Sequence, residues 1–196
     1  PLELKHRTPI DKSEFAFLDQ KAAEGDAGWS DVVVRPRMKV QKFNDDSCPT
    51  VLVRCMVDYD DVDPKLALYN IMCLQARTQW DRTFEEYELI EELGSSGNDI
   101  LYCVLRAPVV SNRDFLQYRR VRLEDMPDGG VRYTILMRSA EHEKKPEVRG
   151  VVRAETMISG YIITRPGGSN VTSLFIMSMT DPKGLIPKFV VNTMAG

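Results

Sequence analysis

Apolar and polar residues alternate with a period of two along most of this chain. From Val51 to Asp58, Val51, Val53, Cys55 and Val57 fall on one face and Leu52, Arg54, Met56 and Asp58 on the other, which predicts a strand. The same period runs through Glu86–Leu93, Asp99–Arg106, Arg113–Leu123, Val131–Arg138 and Val171–Thr180. Val151–Ile158 and Tyr161–Thr164 predict two strands around Gly160. Ser30 to Phe43 predicts a hairpin that turns at Arg35-Pro36-Arg37, since proline cannot donate to a strand ladder. Turn residues punctuate the pattern at Gly94–Asn98, Asp128-Gly129-Gly130 and Pro166–Asn170, and Asn44–Pro49 reads as a loop.

Helical spacing enters at three places. Ile10 to about residue 24 is the first, with Asp11 as N-cap and Glu14 three residues on, as a capping box needs. The second starts at Asp63-Pro64, with Asp as cap and Pro at the first helical position, and runs to about Trp80. Along it, Leu66, Tyr69, Cys73 and Arg77 recur on one face, and Arg77 and Asp81 stand four residues apart. The third begins at Ile186-Pro187 and reaches Met194. Helices at both ends and in the middle of an antiparallel meander predict an α+β fold.

The faces of two strands carry the functional argument. On Asp99–Arg106, Leu101, Cys103 and Leu105 share one side; Tyr102, Val104 and Arg106 share the other, which Arg106 marks as the wetter one. On Arg113–Leu123, Phe115, Gln117, Arg119, Val121 and Leu123 form the oilier face, which points inward. Arg119 then sits among apolar groups, where a guanidinium needs a partner, water or a ligand headgroup; snorkelling at a sheet edge is the competing reading. The turn before this strand contains Asn112, Arg113 and Asp114. Together with Arg77 and Asp81 at a helix end, these residues suggest a pocket with a few charges on oily walls. The competing reading of Arg77 and Asp81 is a surface ion pair.

Composition narrows the possibilities. The 196 residues fit one domain, residues 1–196, and the 43% hydrophobic content suits a globular core. A net charge of −3 gives no general attraction to nucleic acid, and the Arg119-Arg120, Arg122 run lacks interleaved aromatic platforms. Cys48, Cys55, Cys73 and Cys103 form no Cys-x-x-Cys pair and suit buried free thiols in a reducing, cytoplasmic setting. His6 and His142 have no neighbours at metal-ligand spacing, so no metal or cofactor is expected. There is no Gly-x-Ser-x-Gly elbow and no phosphate-cradling Gly-x-x-x-x-Gly-Lys loop, and no enzyme is predicted. A start at Pro1 rather than Met suggests a segment of something longer.

Set in order, several pieces resemble the START (StAR-related lipid transfer) domain family. They are Gly28-Trp29, RTQWD at Arg77–Asp81, YELIEEL at Tyr87–Leu93, DILYCVLRAP at Asp99–Pro108 and SNRDFLQYRRVR at Ser111–Arg122. RGVVRAE at Arg149–Glu155, SGYIITRP at Ser159–Pro166 and DPKGLIPKFVVN at Asp181–Asn192 complete the set. The phosphatidylcholine-transfer branch is the most similar, through SNRD and the DPKG-x-IPK ending.

The resemblance implies a helix-grip fold, a curved antiparallel sheet around a C-terminal helix that encloses one lipid. It implies lipid transfer without catalysis, a lipid ligand (phospholipid, or else sterol or ceramide), transient contact with membrane surfaces, and peripheral localisation. A lipid-sensing module of a larger protein is the alternative role, motivated by the start at Pro1, and an enzyme on the same helix-grip architecture is a third. The resemblance also implies that Arg77 and Asp81 contact a headgroup, and that Cys103, Phe115 and Met157 occupy the positions of an aromatic choline cage. Arg119 matches a cavity arginine of the sterol-binding members. The final helix, which in the family is long and covers the tunnel, reaches the end of the sequence after about two and a half turns.

Overall fold

The computed structural model describes residues 8–43, 51–107 and 110–184. The alternating segments pair into one ten-stranded sheet. Its strands are β1 (Trp29–Arg35), β2 (Met38–Phe43), β3 (Val51–Asp60), β4 (Phe84–Glu92), β5 (Asn98–Leu105), β6 (Arg113–Asp125), β7 (Val131–Ser139), β8 (Val152–Arg153), β9 (Glu155–Arg165) and β10 (Val171–Asp181). The order across the sheet is β1-β2-β3-β10-β9-β7-β6-β5-β4, antiparallel throughout, while the short β8 lies parallel to β6. The helices are α1 (Phe15–Ala23), α2 (Pro64–Met72) and α3 (Leu74–Trp80). This is the predicted α+β architecture. The predicted loop Asn44–Pro49 and the helix from Ile186 lie outside the described residues.

The start of the first helix follows its sequence signature, and the end of the second does not. Asp11 accepts from Ser13 N, Glu14 reaches back to Asp11 N at 2.8 Å, and a 3₁₀ turn over Lys12–Glu14 leads into α1. The predicted single helix from Pro64 to Trp80 is two helices. Cys73 adopts an extended conformation at ψ 118 and separates α2 from α3. The continuous helical spacing gave no hint of this, because the break is held by a tertiary contact: Arg119 Nη1 donates to the Met72 carbonyl at 3.1 Å. Leu66 and Tyr69, on the face the spacing marked, lie exposed.

Both faces of the central strands are covered. On one, α1 and the segment before it press Ile10, Phe15 and Leu18 against Ile100, Tyr102, Leu116 and Ile162 in a dry core. The face expected to be the wetter one is therefore the core face. Arg106 lies beyond the end of β5, where it is exposed, so it says nothing about Tyr102 and Val104. Full burial of each large side chain contributes about 1.5–3 kcal/mol.

Arginines on this side pin the N-terminal segment. Arg138 donates to Glu14 and to the Thr8 and Pro9 carbonyls, Arg120 to the Ile10 carbonyl, and Arg122 and Arg132 to Asp19. The cluster that resembled a nucleic-acid stripe is a set of structural clamps. Arg54 does the same at the far end of α1, donating to the Glu24 and Gly25 carbonyls with its guanidinium 4.2 Å from the Trp29 ring centre.

Gly160, predicted to separate two strands, lies inside the continuous β9. A Cβ there would sit 2.4 Å from the Ile135 carbonyl oxygen and 2.7 Å from Leu18 Cδ2. The glycine marks a close approach by α1 rather than a turn.

Candidate functional site

The other face of the sheet lines a cavity of about 630 Å³. Strand alternation sets its wall: Leu101, Cys103 and Leu105 from β5, and Arg113, Phe115, Gln117 and Arg119 from β6. Tyr87, Cys103 and Phe115 stand in one cross-strand row. Ile71, Met72 and Arg77 close the wall from α2 and α3. The lining is mostly aliphatic and aromatic, with hydroxyls from Thr156, Ser159, Ser178 and Thr180 on β9 and β10.

Arg77 and Asp81, predicted as a pair, both line this cavity. Arg77 Nε donates to Asp81 Oδ2 at 3.0 Å and Nη2 approaches the same oxygen at 2.8 Å. Both side chains are largely covered, at 13% and 14% exposure, so this is not the exposed surface pair of the competing reading. The guanidinium lies 4.4 Å from the Trp80 ring centre and 5.4 Å from that of Phe84. Burial opposes its charge, but Tyr161 and Asp81 more than offset this and raise its pKa.

Arg119 is buried and paired. Its Nε donates to both Asp99 oxygens, at 2.9 and 3.1 Å, and Nη2 bonds Asp99 as well. Asp99 stands directly across the β5–β6 ladder from Arg119. Of the partner, water or ligand headgroup that the sequence left open for Arg119, and of edge snorkelling, the structure has a partner in Asp99, joined by register rather than by spacing.

Cys103 and Phe115 face the cavity side by side. Burial pushes the Cys103 thiol up to about 12, so it is a neutral wall group rather than a nucleophile. Burial also raises the Tyr87 hydroxyl.

Met157 does not line the cavity. Ile158 pairs with Met179 but Thr156 with the next residue, Thr180, which leaves Met157 as the extra residue of a β-bulge. The bulge shifts the parity of β9, so Thr156 joins Ser159 on the wall in place of Met157, the position the resemblance implied.

The expected turn at 112–114 also changes. Arg113 and Asp114 open β6, and Asn112 alone lies before it. Asp114 turns from the cavity and pairs with Arg153 at 2.8 Å. Among the described residues Cys55, Cys73 and Cys103 are free thiols, and no group of three or more His, Cys, Asp or Glu side chains converges to hold a metal. No helix among them is long and apolar enough to cross a membrane.

Comparison with known proteins gives a consistent neighbourhood. The family model described as START domain matches residues 12–196. Human START domain-containing protein 10 is 28% identical over 189 residues, 95% of this chain and 62% of that protein. Rat phosphatidylcholine transfer protein is 27% identical over 179 residues, covering 90% of this chain and 80% of that one. The chain spans 62% and 46% of the human and mouse forms of START domain-containing protein 10. In structure it is similar to human STARD10, with a TM-score of 0.83 at 24% identity over 99% of this chain and 77% of that one. The human StAR-related lipid transfer protein 5 follows at a TM-score of 0.74 and 19% identity over 92% and 85%.

Proposed function

The chain belongs to the START domain family, and on that premise we propose that it binds one lipid molecule in its cavity and carries it between membranes. A glycerophospholipid is the preferred cargo. One observation carries the reading: a cavity of about 630 Å³ with mainly apolar walls and a small number of placed charges. Such a space suits acyl chains, because each CH₂ removed from water contributes about 0.8 kcal/mol. The names of the relatives, phosphatidylcholine transfer protein and StAR-related lipid transfer protein 7, support lipid transfer as the activity.

Within this reading Arg77 and Asp81 orient the headgroup, and Cys103 and Phe115 shape the space beside it. Only one of these two wall positions is aromatic, and the faces of Trp80 and Phe84 are already taken by Arg77. With Tyr87 in the same cross-strand row as Phe115 and Tyr161 on β9, these three aromatic rings line the cavity and could face a cationic headgroup. Catalysis has no part in the proposal, and contact with membranes is transient and peripheral.

Native mass spectrometry of the purified chain tests the proposal, together with transfer of fluorescent phospholipid between vesicles. A phospholipid adduct and protein-dependent transfer are expected; no adduct and no transfer would sink it. A sterol is the second reading, favoured by the buried Arg119–Asp99 pair inside the wall. Recovery of sterol in place of phospholipid would select it.

A further inference from the structure

Four arginines line the cavity: Arg77, Arg106, Arg113 and Arg119. Three have a carboxylate partner, Asp81, Glu85 and Asp99 respectively. Arg113 has none among the described residues, although the residue is only 6% exposed. Its Nε donates to the Pro182 carbonyl at 3.1 Å, Nη2 to the Lys183 carbonyl at 2.9 Å, and Nη1 to the Ser111 carbonyl. Carbonyl dipoles orient the guanidinium without neutralising it. An arginine carries five N–H groups, so one on each terminal nitrogen is left without an acceptor among the described residues.

An arginine keeps its charge when buried, and a buried charge demands a counter-ion. Arg113 lies on the same face of β6 as Phe115 and Arg119. It is six residues from Arg119, about 20 Å along the strand at roughly 3.3 Å per residue. Among the described residues the cavity thus has a neutralised guanidinium at Arg119 and, about 20 Å along the strand, one without a carboxylate at Arg113.

Resting on the lipid-binding reading, we propose that Arg113 is an oxyanion subsite of the cavity, whose occupant is the phosphate group of the bound lipid. The remaining terminal N–H groups can donate charge-assisted hydrogen bonds to phosphate oxygens. The three carbonyl contacts fix the fork before the ligand arrives, so little side-chain entropy is lost on binding.

The test compares the full chain with Arg113→Gln and Arg113→Lys. The probes are vesicles doped with phosphatidic acid or with diacylglycerol, which differ by the phosphate, and inorganic phosphate alone. Uptake is read by native mass spectrometry, and the Arg113 Nε–H resonance by NMR. Arg113→Gln is expected to weaken phosphatidic acid uptake about tenfold or more, the loss of a charge-assisted hydrogen bond, with diacylglycerol uptake unchanged. Arg113→Lys, which keeps the charge, should fall between. Equal losses for both lipids, or no loss for either, overturn the subsite. If Arg113→Gln does not fold, the wild-type resonance decides: a shift with phosphatidic acid but not diacylglycerol supports the subsite, and no difference overturns it. A shift with inorganic phosphate and no lipid uptake assigns the subsite to a free anion and defeats the lipid reading instead. Uptake of neither lipid and no shift defeats both.

Discussion

The two faces of β5 carry side chains of similar size and polarity to opposite ends. Ile100, Tyr102 and Val104 are clamped against the N-terminal segment, while Leu101, Cys103 and Leu105 look into a hollow. One residue of offset separates a packed core from a binding space. The difference lies in what covers each face. The core face is met by Phe15 and Leu18, and Leu18 fits closely against Gly160. The cavity face is spanned by α2 and α3, from which Ile71, Met72 and Arg77 reach the cavity wall. Apolar character alone does not say whether a face is filled.

The largest effect tests the closest contact. Gly160→Val places side-chain carbon where the Ile135 carbonyl and Leu18 already sit. A loss of more than about 4 kcal/mol is expected, seen as absence of a cooperative thermal transition by circular dichroism. A folded variant of near-normal stability would show that α1 does not press on β9.

Leu18→Ala and Phe115→Ala then set the faces against each other. Leu18 is fully buried in the dry core, and its truncation should cost about 2–5 kcal/mol in urea denaturation. Phe115 borders a hollow and has fewer neighbours to lose, so about 1.5 kcal/mol or less is expected. Equal costs would break the distinction between filled and hollow faces.

Asp99→Asn leaves Arg119 charged and unpaired within the wall. With Asp99 at 20% exposure, about 2–3 kcal/mol is the expected loss. Adding Arg119→Met should recover most of it, because replacing both members of a buried pair removes the uncompensated charge. Failure of the second change to rescue the first would show that the Met72 contact, not the ion pair, is what matters.

The smallest effect is a pH dependence. Cys103 is held at about 12 by burial, above its ordinary value of 9.0. The unfolded thiol therefore ionises first. The associated stability is intact below pH 9 and is lost as pH rises from there towards 12. Between about pH 8 and pH 10 this amounts to about 1 kcal/mol, and urea midpoints for Cys103→Ala should fall less over the same range. An identical fall would place the pH sensitivity elsewhere.

Much of the fold could be read directly. The strand alternations, the Asp11–Glu14 capping box and the Asp63-Pro64 start all correspond to elements of the structure, and Arg77 and Asp81 meet as their spacing requires. Among the readings that failed, three show the physical reason most directly. Met157 left the wall because a bulge, invisible to a period-two count, shifted β9. The helix from Pro64 broke at Cys73 because Arg119, distant in sequence, takes the Met72 carbonyl. Tyr102 and Val104 looked half-exposed because Arg106 was counted on their strand, beyond its end.

The sequence by itself determined where chain segments are helical or extended, which residues share a face, and that a few charges fall on apolar walls. Those properties follow from local spacing. Tertiary structure alone decided that one face would be filled and the other left hollow, that Asp99 would neutralise Arg119, and that Arg113 would meet carbonyls but no carboxylate among the described residues. Each depends on strand register and on which segment packs against which face, and residues adjacent along the chain do not encode either one.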